Sequence, residues 1–180
     1  IYAFELFHFF DVQEIIRIGT CGAVSPKAGV SEILLSDSVY SESNFAYTYN
    51  DYKEKVVVAN KELNEKIRET AEELGMEDKI HEGMLTTMDV YGPYIDYDRV
   101  LNRIPEEYKD KILGEEMEAF ALVHVANSMG RKATAMATVA DSKFSNVVMS
   151  IEDRQKSLDD MITLASVSYT HLRAHETLSD

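Results

Sequence analysis

Ile15-Ile16-Arg17-Ile18-Gly19-Thr20-Cys21-Gly22-Ala23 decides how the chain is read. Three β-branched residues around one arginine predict a short strand, Ile15 to Ile18, that Gly19 stops. A loop of small residues, Gly19 to Ala23, then follows the strand's carboxyl end. Glycines let a backbone approach a ligand closely, and the Thr20 hydroxyl and neighbouring amides can donate to an anion. Arg17 adds a fork of donors suited to phosphate or carboxylate. A tight turn with a structural arginine is the competing reading. The stretch has neither the Gly-Lys-Ser/Thr ending of a Walker loop nor the Gly-x-Gly-x-x-Gly dinucleotide pattern.

Outward from this stretch, strand and helix periodicities alternate without a linker, repeat or low-complexity block, which predicts one α/β layer structure. Further strands are expected at Ser31 to Val39, Val56 to Val58, Lys79 to Thr87 and Ala133 to Val139. Leu63, Ile67, Ala71 and Leu74 recur at helical spacing between Asn60, a natural N-cap, and Gly75, a natural stop. A second helix is expected from Glu116 to Met129, ended by Gly130, and a third from Asp153 to about Ala165. Ile1 to Phe10 reads as a helix entered midway, without a starting Met, so the chain is expected to lack an N-terminal part. Between Asp89 and Pro105 lies a loop rich in Tyr, Asp, Gly and Pro, long enough to carry a site.

The 180 residues carry 18 basic and 32 acidic side chains, a formal charge of −14, with 45% hydrophobic residues. That is enough apolar material for a core and excludes disordered or collagen-like classes. Such a charge repels phosphate backbones and anionic lipid, so neither nucleic acid nor membrane is expected as a partner. Any anion must find a local basic site. The single cysteine, Cys21, rules out an intrachain disulfide and suits a reducing cytoplasm. No apolar run approaches the ~20 residues of a membrane span.

Two more constellations carry chemistry. In Gly114-Glu115-Glu116-Met117-Glu118-Ala119 three acids crowd the start of an expected helix, where the helix dipole favours them as simple capping residues. Alternatively Glu116 or Glu118 turns inward to accept from sugar hydroxyls, with Met117 packed on the sugar ring. Thr138-Val139-Ala140-Asp141 puts an acid at the carboxyl end of an apolar strand, where open α/β sheets bind ligands. Arg154, thirteen residues later, opposes the dipole at a helix N-terminus, which an anionic partner such as Asp141 would explain. A solvated surface arginine is the plainer alternative.

In this order and spacing, the nine-residue Arg17 stretch, Gly114 to Ala119, Thr138 to Asp141 and Arg154-Gln155 with Asp160-Met161-Ile162 resemble the bacterial, DeoD-type purine nucleoside phosphorylases. These belong to the nucleoside phosphorylase and uridine phosphorylase superfamily, and the likeness runs from Ile1 to about Ala165. It implies a three-layer phosphorylase/hydrolase-like fold, a mixed central sheet flanked by helices with its N-terminal strands missing. It also implies reversible phosphorolysis of purine ribonucleosides or deoxyribonucleosides to free base and the sugar 1-phosphate, a glycosyltransferase reaction of purine salvage.

By that resemblance Arg17 and Thr20 hold phosphate, Glu116, Met117 and Glu118 hold ribose, and Cys21, Gly22 and Tyr91 line the base pocket. Asp141 is implied as the general acid that protonates the leaving purine, with Arg154 pairing to it as the site closes. The role asks for a proton on Asp141, so burial is expected to raise its pKa before Arg154 arrives. No metal or organic cofactor is implied, only inorganic phosphate as co-substrate. A cytoplasmic homo-oligomer, a hexamer in the family, is expected.

The chain departs from the family pattern at Ala140, where many relatives carry Ser. It also lacks the N-terminal Gly-rich phosphate loop, further arginines and a histidine that reaches a neighbouring subunit, so weak or no turnover is expected of it alone. The alternatives are a methylthioadenosine or S-adenosylhomocysteine nucleosidase, a uridine phosphorylase, and a non-catalytic purine-nucleoside-binding module. Residues 1–166 are read as the phosphorylase domain. From Val167 the sequence resembles translated sequencing adapter, and residues 167–180 are read as a non-native tail.

Overall fold

The structure is a computed structural model of the 180-residue chain. It describes residues 1–145 and 149–176, and the side chains of Pro93, Tyr97, Arg154, Lys156 and residues 172–176 lie outside that description. Six strands, β1 (Glu14–Ala23), β2 (Ile33–Ser41), β3 (Val56–Val58), β4 (Ile80–Thr87), β5 (Ile112–Glu116) and β6 (Lys132–Ser142), form one mixed sheet ordered β3-β2-β4-β5-β1-β6. β1 runs parallel to β6, and β4 runs parallel to both β2 and β5. β1 and β5 meet antiparallel. The sheet curls until β2 also pairs antiparallel with β6, Ile33 to Leu35 against Thr138 to Met136, which closes five of the strands on themselves.

Helices α1 (Tyr2–Phe9), α2 (Phe45–Asn50) and α6 (Ala119–Ser128) pack together on one face, and α3 (Lys61–Glu73) and α7 (Ile151–Glu176) on the other. Short helices α4 (Tyr97–Leu101) and α5 (Glu106–Lys109) cross the loop before β5. The strand period of two sorts the side chains between layers. Leu34 joins Phe7, Phe120 and Val123 in the α6-side core, while Ile33 and Leu35 join Ile67, Met136, Met161 and Leu164 on the α3/α7 side. Each of these is at least nine-tenths buried, so truncating one to Ala costs about 2–5 kcal/mol.

Local signals act as their chemistry demands. The Asn60 side chain accepts from the Leu63 amide at 3.0 Å and starts α3, and Gly75 at φ +65° stops it. Four expectations need correction. Gly19 to Ala23 is strand, not loop, because β6 pairs with it throughout and β5 adds a second ladder at Gly22 and Ala23. Glu116 ends a strand instead of starting a helix, since Thr87 of β4 holds it in register. The 89–105 loop contains α4, whose N-cap Asp96 accepts from the Arg99 amide at 3.1 Å. Finally α7 continues past Ala165 to Glu176, because no Gly or Pro follows to stop it. No helix among the described residues is long and apolar enough to cross a membrane.

Candidate active site

The centre of the site is a cross-strand row. Gly22 of β1 is flanked in register by Glu115 of β5 and Asp141 of β6. A β-carbon on Gly22 would stand 2.9 Å from Asp141 Oδ1 and 3.5 Å from Glu115 Oε1. A side chain there would press on the Asp141 carboxylate and pack against Glu115. Gly92, in the loop after β4, is constrained in the same way: its β-carbon would lie 2.8 Å from Glu115 Oε1.

Further back along β1, the Arg17 guanidinium lies flat over Gly19, where any β-carbon would sit 2.6 Å from Nη1. Its Nη2 donates to Glu118 Oε2, and its Nη1 lies 3.7 Å from Glu116 Oε2. That Nη1 is closed off from solvent without a hydrogen-bond partner among the described residues. It is a buried donor with capacity to spare, the kind of group an anion satisfies. At about 3.3 Å per residue, Gly19 and Gly22 stand about 10 Å apart along the strand.

Glu116 is the fixed point between the two ends. Its side chain is fully buried, Oε1 accepts from the Thr87 hydroxyl, and Oε2 accepts from the Glu118 and Ala119 amides at 2.8 Å each. Thr87 Oγ1 in turn accepts from the Phe120 amide at 2.9 Å. The carboxylate therefore caps α6 from the preceding strand and satisfies amides that would otherwise be orphaned. Met117 and Glu118 are thereby pushed out into the cleft, where both are exposed.

These groups line a cleft of about 860 Å³, ligand-sized by ordinary standards. Arg17, Thr20, Cys21, Gly22, Tyr91, Glu116, Met117, Glu118 and Asp141, nine of the ten residues expected from the sequence, all lie on its wall. The tenth, Arg154, begins in the first turn of α7, and its side chain lies outside the described residues. Burial, reinforced by Glu116 and Asp141, pushes the Cys21 thiol far up and disfavours the thiolate form. Tyr91 is half exposed and meets Tyr94 edge-on at 5.1 Å. Asp141 is exposed at the strand end, so the burial expected around it is not found among the described residues.

Sequence reasoning passed over Glu115 and Lys143. In a run of three acids Glu115 looked like a capping residue, and its place on the cleft wall against Gly92 is visible only in the fold. Lys143 follows Asp141 by two and lines the same wall. Partial burial lowers its pKa, while Glu115, Asp98 and Asp141 act in the opposite sense. Among the described residues no three His, Cys, Asp or Glu side chains group as metal ligands would.

A curled mixed sheet between two helical layers, with an arginine and an acid on adjacent parallel strands at a cleft, defines a nucleoside phosphorylase/hydrolase type of fold. The phosphorylase superfamily model matches residues 1–167. The chain is a member of that superfamily. It is 34% identical over 167 residues to the DeoD-type purine nucleoside phosphorylase of Mycoplasma genitalium, covering 92% of this chain and 67% of the relative. The Clostridium beijerinckii protein of the same name is 33% identical over 165 residues, covering 92% and 67%. Among solved structures, a futalosine hydrolase mutant of Helicobacter pylori has the same fold, with a TM-score of 0.70 over 94% of this chain and 73% of that one at 14% identity.

Proposed function

We propose that this chain carries out purine nucleoside phosphorolysis, converting a purine nucleoside and inorganic phosphate to the free base and the sugar 1-phosphate. One observation supports this above the others: Arg17 and Asp141 face a single cleft from adjacent parallel strands, and Glu118 and Met117 line the same cleft. Breaking a glycosidic bond builds positive charge on the sugar and negative charge on the departing base. Phosphate held by Arg17 and Thr20 would stabilise the first and attack the sugar's anomeric carbon. Glu118 and Met117 would fix the sugar, and Glu116 positions both from behind. Asp141 would pass its proton to the purine nitrogen that receives the bond electrons, so the base leaves neutral. Arg154 would pair with Asp141 as the site closes, and inorganic phosphate is the co-substrate.

A hydrolase reading is kept open by the same geometry. Arg17 already touches two carboxylates, so its charge is partly met without phosphate. Water would then replace phosphate as nucleophile.

Base release from inosine, with and without phosphate, tests the proposal. The chain is assayed alone and with the N-terminal segment of the Mycoplasma genitalium relative joined to it. Release that requires phosphate is expected, greater in the extended chain, and lost in Asp141→Ala. Equal release without phosphate would assign a hydrolase instead.

A further inference from the structure

We propose that Glu115 is a specificity-determining residue that accepts a hydrogen bond from an amino group on the six-membered ring of the bound purine. The inference rests on the purine nucleoside reading above and adds to it what distinguishes one base from another.

Three observations carry it. Glu115 Oε1 stands against Gly92, where a β-carbon would come within 2.8 Å of it, and within ordinary contact distance, 3.5 Å, of a β-carbon placed on Gly22. The carboxylate shares one cross-strand row and one cleft wall with Asp141, the group assigned to the base, and is displaced from Arg17 at the phosphate end. Lys143 lines the same wall and supplies a positive charge that both carboxylates feel. An ionised carboxylate is acceptor-only and has about four lone-pair sites, so engagement with a lysine leaves capacity for a ligand N–H.

The base edge that satisfies such a group must present a donor. Adenine offers its 6-amino group and guanine its 2-amino group; hypoxanthine keeps only its ring N1–H, and unsubstituted purine leaves the carboxylate facing carbon or a repelling lone pair. A site built to hydrogen-bond a substrate group discriminates sharply against the analogue that lacks it.

Two matched pairs isolate the effect. Adenosine and purine riboside differ by the 6-amino group, and guanosine and inosine differ by the 2-amino group. Dissociation constants for all four are measured by calorimetry with the full chain, with Glu115→Val and with Glu115→Gln. The account predicts that in the unchanged chain the amino-bearing member of at least one pair binds about tenfold or more tightly, as for a hydrogen bond to a charged group. That preference should fall to within about twofold in Glu115→Val and decline in Glu115→Gln, with far-ultraviolet circular dichroism unaltered. The pair that responds locates the amino group. Nucleoside binding with both preferences unaltered in the two variants would overturn the role of Glu115 alone. Binding of none of the four to the unchanged chain would overturn the purine nucleoside reading and this inference with it.

Discussion

Arg17, on the first strand, donates to Glu118, just beyond the fifth, so the side chain assigned to phosphate is held by the side chain assigned to ribose. The two ends of the reaction are therefore coupled before any ligand arrives. Phosphate must share or displace Glu118 at Arg17, and a Glu118 so released is free to turn to sugar hydroxyls.

Glu118→Gln weakens the competitor without changing its size. Because Glu118 is largely exposed, an ion pair of this kind is worth little, about 0.2–1 kcal/mol. Phosphate affinity measured by calorimetry is expected to rise by about two- to fivefold, while nucleoside affinity falls. A simultaneous loss of both affinities would contradict the competition.

Glu116 should act through stability as much as through binding. Its buried carboxylate accepts two backbone amides and a threonine hydroxyl beside Arg17. Glu116→Gln replaces one acceptor oxygen by a donor facing donors, for which a loss of about 1.5–3 kcal/mol is expected in urea unfolding. A midpoint unchanged by the substitution would show that the cap is not formed.

His124 supplies a pH dependence. It is buried beneath Phe45, Tyr49, Tyr52 and Phe120, with Nε2 2.9 Å from Asn50 Oδ1. Burial lowers its pKa below the ordinary 6.5. As pH falls below 6.5 the unfolded chain takes up this proton before the folded one does. The stabilisation is thus complete above 6.5 and lost as pH falls towards the folded value. Melting temperature should drop between pH 7 and 5.5 more steeply in the unchanged chain than in His124→Gln, and parallel curves would refute the assignment.

Cys21 should be inert in the folded chain. Its thiol is buried beside Glu116 and Asp141, and both burial and charge disfavour the thiolate. Alkylation by iodoacetamide at pH 8 is expected to follow unfolding, slowing at least about a hundredfold relative to the chain in urea. Rapid labelling under native conditions would place the thiol elsewhere.

Much of this arrangement was legible in the residues. The Val56 to Val58 triplet marked β3, short apolar runs marked β2 and β6, and Asn60 with Gly75 bounded α3 closely. Asp141 could be placed at a ligand-bearing strand end, while Arg17 and Asp141 were joined in one site by the family resemblance and not by local pattern. What stayed hidden depended on long-range contacts. Gly19 to Ala23 looked like a loop because nothing local shows that β5 and β6 both pair with it. Glu116 looked like a helix start because its cap on α6 comes from the preceding strand, through a hydrogen bond to Thr87 some thirty residues away. Glu115 was indistinguishable from its acidic neighbours until its place on the cleft wall, against Gly92, set it apart.

The fate of the sugar tests the central claim most directly. Phosphorus nuclear magnetic resonance of the chain joined to the N-terminal segment of the Mycoplasma genitalium relative, incubated at high concentration with inosine and phosphate, follows the nucleophile itself. The account predicts a new phosphate-ester signal, growing in step with hypoxanthine at the expense of inorganic phosphate. Hypoxanthine accumulating beside free ribose, with the phosphate signal undiminished, would contradict it.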